Sequence, residues 1–256
     1  MNKKFKTKKK FGQHLLISEG VIEKIVDVIE IKPEDIIVEI GVGTGQLTEE
    51  ILKRNPKKLY GIEIDETAYQ IIEERFKNYP NFELIKSDFF DVDLNKLADG
   101  KKIKLVGNLP YNVSSLILIN TVFYLEIIER NVFMLQKEVA EKLIAKPGSK
   151  SYTFLSVFIQ TFYNVEYVMS VPARFFSPPP KVTSAVVKMT PKKEVPPVDR
   201  KKFKNFVSGL FNQKRKMLRK KIDENTLLKC GIDPKLRVED LKLEDFLCLF
   251  KNQQRA

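Results

Sequence analysis

The chain has 256 residues, of which 43% are hydrophobic and 30% are charged, a composition typical of a globular protein with a sizeable core. No apolar run approaches the length of about eighteen residues that a membrane span needs, and no apolar stretch follows the basic N-terminus as in a secretory signal. The formal net charge of +12 favours a polyanionic partner such as nucleic acid. We therefore expect a cytoplasmic protein that does not contact a membrane.

The positive charge is concentrated in two separate clusters. The first ten residues contain six lysines and no acid, and the second cluster lies in a stretch with helical character. Either cluster alone is equally typical of a solvated surface or a disordered tail, but two clusters favour nucleic acid, because each neutralised phosphate releases condensed counterions. The residues that we expect to contact nucleic acid are Lys8, Lys9, Lys10, Lys214, Arg215, Lys216, Arg219, Lys220 and Lys221.

The two cysteines, Cys230 and Cys248, lie far from anything that resembles a metal-binding motif. We interpret them as buried or free thiols in a reducing compartment, and we expect no metal site.

Hydrophobic periodicity predicts helices that alternate with strands. In chain order the predicted elements are a helix over 18–31 with Ser18 as its N-cap, a strand over 36–40, a helix to about 55, a strand over 59–64, a helix over 68–78, strands over 82–85, 103–106 and 132–135, helices over 137–144 and 153–162, and strands over 163–171 and 182–189. Such an order is typical of a mostly parallel sheet with helices on both faces. Because residues 191–197 resemble a linker, we predict an α/β domain over 1–190 and a small all-helical domain over 191–256.

A glycine-rich turn follows the first long strand, in the segment Gly41-Val42-Gly43-Thr44-Gly45. The GxGxG spacing differs from the GxGxxG of dinucleotide folds, which favours S-adenosylmethionine, a cofactor without a pyrophosphate. Glu63 ends the next strand, where a carboxylate can accept hydrogen bonds from ribose hydroxyls. Asp88 ends the third strand and can accept from an adenine amino group, with Ile64 or Phe89 packed on the ring. Taken singly, each acid is more often a helix cap or a surface charge.

The fourth strand runs into Asn108-Leu109-Pro110-Tyr111. The side-chain carbonyl of Asn108 and the backbone carbonyl of Leu109 can accept both hydrogens of an exocyclic adenine amine, which directs the nitrogen lone pair towards a methyl donor. Pro110 stiffens this turn, and Tyr111 can stack on an extruded base. The alternative is a tight Asn-x-Pro turn with a structural role only.

Two further segments fit such a site. The proline-rich loop after Phe175 presents Phe176, which can clamp the target base opposite Tyr111, although a surface polyproline turn explains the composition as well. Residues 11–16 contain the single histidine, His14, which we interpret as a cofactor contact and not as a general base.

With these motifs in hand, the chain resembles the KsgA family of small-subunit ribosomal RNA adenine dimethyltransferases. The segments that match are FGQHLL, EIGVGTGQLT, GIEID, SDFFD, NLPYNVSS and FFSPPPKVTSAVV. The resemblance implies a Rossmann-like class I methyltransferase fold and transfer of methyl groups to two adjacent adenosines in a hairpin near the 3′ end of 16S rRNA. It also implies a link to assembly of the immature 30S subunit. The cofactor contacts that it implies are His14, Leu16, Gly41, Glu63, Asp88 and Asn108, and the residues that it implies for base handling are Asn108, Leu109, Tyr111 and Phe176. We expect Gly43 of the glycine turn to contact the cofactor as well.

Three alternatives stay open. An Erm-type enzyme would use the same chemistry on 23S rRNA, although the triple proline and the Leu109 of NLPY resemble KsgA more closely. A DNA or glutamine methyltransferase usually carries NPPY or DPPY, and Leu109 argues against this class. A ribosome-assembly factor without catalysis would be expected to lose Asn108 or Tyr111, and both are present. Nothing in the sequence indicates an oligomer, and we expect a monomer.

Overall fold

The structure is a computed structural model that describes residues 15–253. The chain forms two compact units, and each contains its own core. The first unit extends to Ala140 and includes Val165–Pro191, and the second comprises Glu141–Asn164 and the residues from Lys192 onward. The predicted domain boundary after residue 190 stands one residue before the end of the first unit. The segment 141–164, which the sequence analysis placed in the first domain, packs instead with the second unit.

A seven-stranded sheet organises the first unit, in the spatial order β4-β3-β2-β5-β6-β9-β7. Its strands are β2 (Ile36–Ile40), β3 (Lys58–Glu63), β4 (Phe82–Lys86), β5 (Ile103–Asn108), β6 (Ile128–Gln136), β7 (Tyr163–Val171) and β9 (Ser184–Pro191). The pairs among β4, β3, β2, β5 and β6 are all parallel, and β9 pairs antiparallel with β6. A separate two-stranded sheet joins β1 (Leu15–Leu16) to β8 (Phe176–Ser177). The mostly parallel α/β fold predicted from the sequence is confirmed.

Helices alternate with the parallel strands. Those that connect them are α2 (Gln46–Lys53), α3 (Glu66–Phe76), α4 (Leu94–Ala98) and α5 (Ser114–Thr121), while α1 (Glu19–Ile29) precedes β2 and α6 (Lys137–Leu143) follows β6. The apolar face of α1 is buried in one cluster with Ile37 of β2 and Val132 of β6. Ser18 occupies the N-cap position of α1, but its side chain makes no capping hydrogen bond. Neither α4 nor α5 was among the predicted elements.

The strand β5 carries a buried cation. The side chain of Lys104 is 2% exposed, and its Nζ lies 2.6 Å from Oδ2 of Asp35 and 2.7 Å from the carbonyl oxygen of Glu30. Glu30 is the C-cap of α1, so the ammonium group satisfies a carbonyl at the negative end of that helix. This contact fixes the end of α1 against the N-terminal ends of the strands, opposite the edge at which their polar motifs lie.

The second unit is built around phenylalanine rings. Its helices are α7 (Phe154–Phe162), α8 (Arg200–Phe211), α9 (Glu224–Lys229) and α10 (Leu243–Gln253). The fully buried ring of Phe203 on α8 lies 5.2 Å from that of Phe250, 6.1 Å from that of Phe162 and 6.5 Å from that of Phe158, measured between centroids. Phe158 and Phe162 belong to α7, so these contacts explain why residues 141–164 join the second unit.

The prediction of free thiols was wrong. Cys230, at the end of α9, forms a disulfide with Cys248 of α10, and their Cα atoms lie 5.9 Å apart. The bond closes a loop over a sequence separation of 18, which in the chain-entropy model stabilises the folded state by about 3 kcal/mol. The two residues are distant in sequence and carry no motif, so only the packing of α9 against α10 brings them together.

Candidate functional site

A cavity of about 360 Å³ opens at the carboxyl ends of β2, β3, β4 and β5. Since these strands are parallel neighbours, the residues that end them meet at one edge of the sheet, where ligands bind in open α/β folds. The predicted site residues that line the cavity are Leu16, Gly41, Gly43, Glu63, Ile64, Asp88, Phe89, Asn108, Leu109, Pro110 and Tyr111. The fold therefore brings these eleven cofactor and reacting residues to one cavity.

The glycine turn after β2 has the backbone geometry that its sequence predicts. Gly41, Gly43 and Gly45 all have positive φ, at 74°, 61° and 84°. At Gly45 a side chain is also excluded by space, because an added Cβ would lie 2.6 Å from the ring of Phe76. The backbone N–H of Gly43 then points to the carboxylate of Glu63, with 2.9 Å between donor and acceptor.

Glu63 joins the ends of β2 and β3. Its side chain accepts hydrogen bonds from the backbone N–H of Gly43 on Oε2 and from that of Asp65 on Oε1, at 2.9 and 2.8 Å. The residue is 3% exposed, and burial raises the pKa of its carboxyl above the usual range, against the effect of these hydrogen bonds. Each oxygen has a second lone pair, so the carboxylate can still accept from hydroxyl groups in the cavity.

A third carboxyl group on the cavity wall, that of Glu39 in β2, was not predicted from the sequence. Glu39 is 1% exposed and accepts a hydrogen bond from the hydroxyl of Thr48 at 2.7 Å. Burial and the nearby Glu63 raise its pKa to about 8, although the Thr48 hydrogen bond acts in the opposite direction. The sequence carries one indication of Glu39, because it is the only acid in the β-branched run Ile36-Ile37-Val38-Glu39-Ile40.

This pKa predicts a stability change with pH. Because the folded-state pKa of Glu39 lies above the unfolded value, its contribution to stability is lost as the pH rises towards and through 8. From pH 7 to pH 9 we expect the free energy of unfolding of the protein without ligand to fall by about 1 kcal/mol through this group. Glu39→Gln should abolish that part of the change in denaturant titrations at the two pH values. Glu23→Gln, a change at an exposed glutamate, should not, and equal pH dependence in both variants would contradict the assignment.

Asp88 lies just after β4, where its side chain caps a turn and also lines the cavity. Its Oδ1 accepts a hydrogen bond from the backbone N–H of Phe90 at 3.0 Å, which caps the 3-10 turn that starts at Phe89. Asp88 therefore serves as a helix cap, the alternative that the sequence left open, and it lines the cavity as well. Phe89 is 7% exposed, whereas Ile64 and Phe90 are 49% and 42% exposed. The exposed side chains of Ile64 and Phe90 border the cavity beside Asp88, where they can pack on a flat aromatic ring of a ligand.

The segment from Asn108 to Tyr111 forms a rigid turn on the same cavity. The backbone N–H of Leu109 donates to the carbonyl of Met134 at 2.9 Å, and the carbonyl of Pro110 accepts from the backbone N–H of Ser114 at 3.0 Å. Asn108 is half-buried, and Leu109 is 1% exposed. Since the turn is held on both sides, the two carbonyl groups expected to bind an amine are attached to a fixed backbone.

Phe176 is not placed as predicted. It is 2% exposed, packs in the cluster around α1 and does not belong to the cavity wall. The reason is the antiparallel pairing of β8 with β1, which sets Phe176 opposite Leu16 and Ser177 opposite Leu15. The cavity wall that carries Tyr111 therefore does not include Phe176, and its role as a clamp on the target base stays a prediction. Leu16 itself reaches the cavity, while His14 lies outside the described residues, as do Lys8, Lys9 and Lys10.

The basic cluster in the second unit does not lie in an α-helix, contrary to expectation. The helix α8 ends at Phe211, and a turn leads to a 3-10 segment at Leu218–Lys220. The buried Leu218 anchors this path, and its backbone N–H donates to the carbonyl of Leu236 at 2.8 Å. The exposed basic side chains are Lys214, Arg215, Lys216, Arg219 and Lys220.

Lys221 differs from its neighbours in this cluster. Its Nζ donates a hydrogen bond to the carbonyl of Leu210, and burial, followed by the nearby Lys216, lowers its pKa. Lys221 is therefore engaged within the fold, unlike the exposed basic residues that precede it in the cluster.

Within residues 15–253, no group of three His, Cys, Asp or Glu side chains is arranged to hold a metal ion. The same part of the chain contains no helix with the length and apolar character of a membrane span.

Comparisons with known proteins agree with this geometry. The family model for ribosomal RNA adenine dimethylase matches residues 4–255. The curated relatives include proteins named ribosomal RNA small subunit methyltransferase A from Persephonella marina and from a Sulfurihydrogenibium species. The first is 67% identical over 248 residues, which cover 96% of this chain and 93% of the relative. The second is 65% identical over 248 residues, which cover 96% of both chains.

Solved structures show the same fold. A dimethyladenosine transferase from Plasmodium falciparum is 27% identical with a TM-score of 0.82, over 94% of this chain and 98% of that chain. The 23S rRNA methyltransferase ErmE is 24% identical with a TM-score of 0.71, over 94% of this chain and 99% of that chain, a likeness of fold alone. By its family model and its high identity to these relatives, the chain belongs to the ribosomal RNA adenine dimethylase family.

Proposed function

We propose that this protein transfers methyl groups from S-adenosylmethionine to the N6 atoms of two adjacent adenosines near the 3′ end of 16S rRNA. The observation that carries the proposal is the position of the turn from Asn108 to Tyr111 on the same cavity wall as Glu63 and the glycine turn. The names of the relatives from Persephonella marina and Sulfurihydrogenibium support the small-subunit substrate.

The cavity residues fit the proposed cofactor. The buried carboxyl of Glu63 is fixed by two backbone N–H groups and suits the paired hydroxyls of a ribose. Positive φ at Gly41 and Gly43 allows the backbone to approach a ligand closely. The remaining residues proposed to hold the cofactor are Leu16, Ile64, Asp88, Phe89 and Asn108. When bound, S-adenosylmethionine supplies an electrophilic methyl group.

The reacting amine is bound by the turn after β5. Asn108 and Leu109 each offer a carbonyl oxygen, and two acceptors on the two amine hydrogens favour a tetrahedral nitrogen whose lone pair points away from both. Pro110 restricts the backbone between them. Tyr111 presents an aromatic ring for stacking on the extruded base, and its face favours the positive charge that develops on the product. No strong general base is required, because a methylated exocyclic ammonium is acidic and releases its proton to water.

We propose that the exposed cluster from Lys214 to Lys220 binds the RNA backbone. Changing Arg215, Lys216, Arg219 and Lys220 to glutamine should weaken RNA binding and lower the slope of log K against log salt by about three, since each phosphate contact contributes about 0.7–0.9. The measurement is a salt titration of binding to small-subunit RNA.

The matched control removes the same charge at four exposed lysines of the first unit: Lys24, Lys96, Lys101 and Lys102. A slope reduced equally in both variants would show only a general charge effect. An unchanged slope in the first variant would leave this cluster as a solvated surface.

The substrate is tested by transfer of labelled methyl groups to unmethylated small subunits and to large subunits in parallel. Label in small-subunit RNA alone is expected. Label in large-subunit RNA alone would instead assign an Erm-type activity, and no label in either, with cofactor bound, would favour an assembly factor without catalysis.

We further propose that the enzyme acts as a cytoplasmic monomer on the immature 30S subunit.

A further inference from the structure

Tyr111, in the turn after β5, is tied to a residue 73 positions further along the chain. Its hydroxyl oxygen lies 2.7 Å from the hydroxyl oxygen of Ser184, the first residue of β9. Ser184 is 0% exposed, whereas Tyr111 is half-buried on the cavity wall. A hydrogen bond between two hydroxyl groups therefore links the cavity to the buried start of β9.

Both ends of this link are held by the backbone. Ser184 pairs with Gln136 at the end of β6, and the adjacent Thr183 accepts a hydrogen bond on its carbonyl from the backbone N–H of Lys137 at 2.9 Å. On the other side, the carbonyl of Tyr111 accepts from the hydroxyl of Ser114 at 3.3 Å. The Tyr111 side chain is thus fixed at its backbone and at its far end, which leaves its ring little freedom to rotate.

The chemistry of the site explains why such a restraint matters. A base that stacks on Tyr111 must keep its amine on the carbonyl groups of Asn108 and Leu109, and small errors in orientation lower reaction rates strongly. Burial raises the pKa of the Tyr111 hydroxyl, against the effect of the Ser184 hydrogen bond, so the phenol stays protonated and neutral near pH 7. The hydroxyl is then an anchor for the ring and not a proton acceptor.

We propose that Ser184 is a positioning residue for methyl transfer, which acts by holding the ring of Tyr111 in the orientation that the target adenine needs. The proposal rests on the role of Tyr111 in the proposed function. Ser184 does not line the cavity, so we expect it to act on the reaction only by positioning Tyr111. Its removal should lower kcat and leave KM nearly unchanged, because RNA binding uses other surfaces.

The test is a double-mutant cycle with Ser184→Ala and Tyr111→Phe in the full-length protein on unmethylated small subunits. Each single change should lower kcat roughly five-fold, the loss expected for one hydrogen bond of about 1 kcal/mol. The double variant should be no slower than Tyr111→Phe alone, because the two changes remove the same bond. Thr183→Ala removes an exposed neighbouring hydroxyl and serves as the matched control, with kcat expected to stay within two-fold.

The outcomes separate this proposal from the proposed function. Losses that multiply in the double variant, or full activity of Ser184→Ala, would overturn the positioning role. If Ser184→Ala fails to fold, Tyr111→Phe breaks the bond without touching β9, and unchanged kcat in that variant would overturn the role as well. Tyr111→Ala tests the proposed function itself: near-normal transfer by that variant would show that Tyr111 does not handle the base at all.

Discussion

Replacement of Asn108 by alanine is expected to lower methyl transfer by about 10²–10³-fold, the usual loss when one group that stabilises developing charge is removed. The side-chain carbonyl of Asn108 is one of only two acceptors that we assign to the amine, and the backbone carbonyl of Leu109 cannot replace it. The fold should persist, because Asn108 is half-buried at the end of β5 and the turn that follows is held by backbone hydrogen bonds. Single-turnover rates on unmethylated small subunits measure the effect.

Two further variants sharpen this test. Asn108→Asp keeps an oxygen acceptor at the same place and should retain more activity than Asn108→Ala. Asn78→Ala removes an exposed asparagine outside the cavity and should transfer methyl groups at the normal rate. Near-normal turnover by Asn108→Ala would mean that the two-acceptor arrangement is wrong. Equal loss in the alanine and aspartate variants would mean that the acceptor is not the feature that matters.

Phe203→Ala is expected to destabilise the second unit by about 3–5 kcal/mol, the cost typical of removing a fully buried phenylalanine. The ring contacts those of Phe158, Phe162 and Phe250, so its loss leaves a cavity between three helices. Leu228→Ala on α9 is the control, since that side chain is 64% exposed, and it should change stability by less than about 0.5 kcal/mol. Denaturant titration with intact disulfide measures both changes.

The same experiment tests the assignment of residues 141–164 to the second unit. Phe158→Ala should also destabilise, and the double variant with Phe203→Ala should lose less than the sum of the single losses, because the two rings share one cluster. Additive losses would show that α7 and α8 do not share a core, and the division of the chain would then be wrong.

Local patterns sufficed for the residues that end strands. The β-branched run before Gly41, the short strand before Glu63 and the apolar strand before Asn108 each predict a buried parallel strand. Once the strands are parallel, their carboxyl ends must meet, so the convergence of Gly41, Glu63 and Asn108 follows from topology alone. For this reason most of the cavity wall was predictable without a structure.

Contacts between distant segments were not predictable in this way. The hydrogen bond between the hydroxyl groups of Tyr111 and Ser184 depends on where β9 starts against β6, and neither segment alone determines that register. Glu39 and Lys104 both interrupt apolar strands, and the sequence does not show that Thr48 and Asp35 provide their partners. A buried polar residue of this kind interrupts the hydrophobic pattern of its strand, and only the tertiary structure shows which residue is its hydrogen-bond partner.

Three differences from the sequence-based expectations have the same physical origin. The spacing of Phe154, Phe158 and Phe162 predicts one face of a helix, but it does not say which unit covers that face. The pairing of Cys230 with Cys248 likewise depends on how α9 meets α10. The burial of Phe176 adds a third case, since two residues of β1 and two of β8 form a small sheet that no propensity would predict.

The reaction proposed for this cavity is methylation of N6 of adenine in small-subunit RNA. Mass spectrometry of nucleosides tests it most directly, after incubation of unmethylated small subunits with the protein and S-adenosylmethionine and with large subunits in parallel. We predict N6,N6-dimethyladenosine in the small-subunit RNA alone. Methylation at another atom or another base in that RNA, or no methylation by protein that binds the cofactor, would contradict the account.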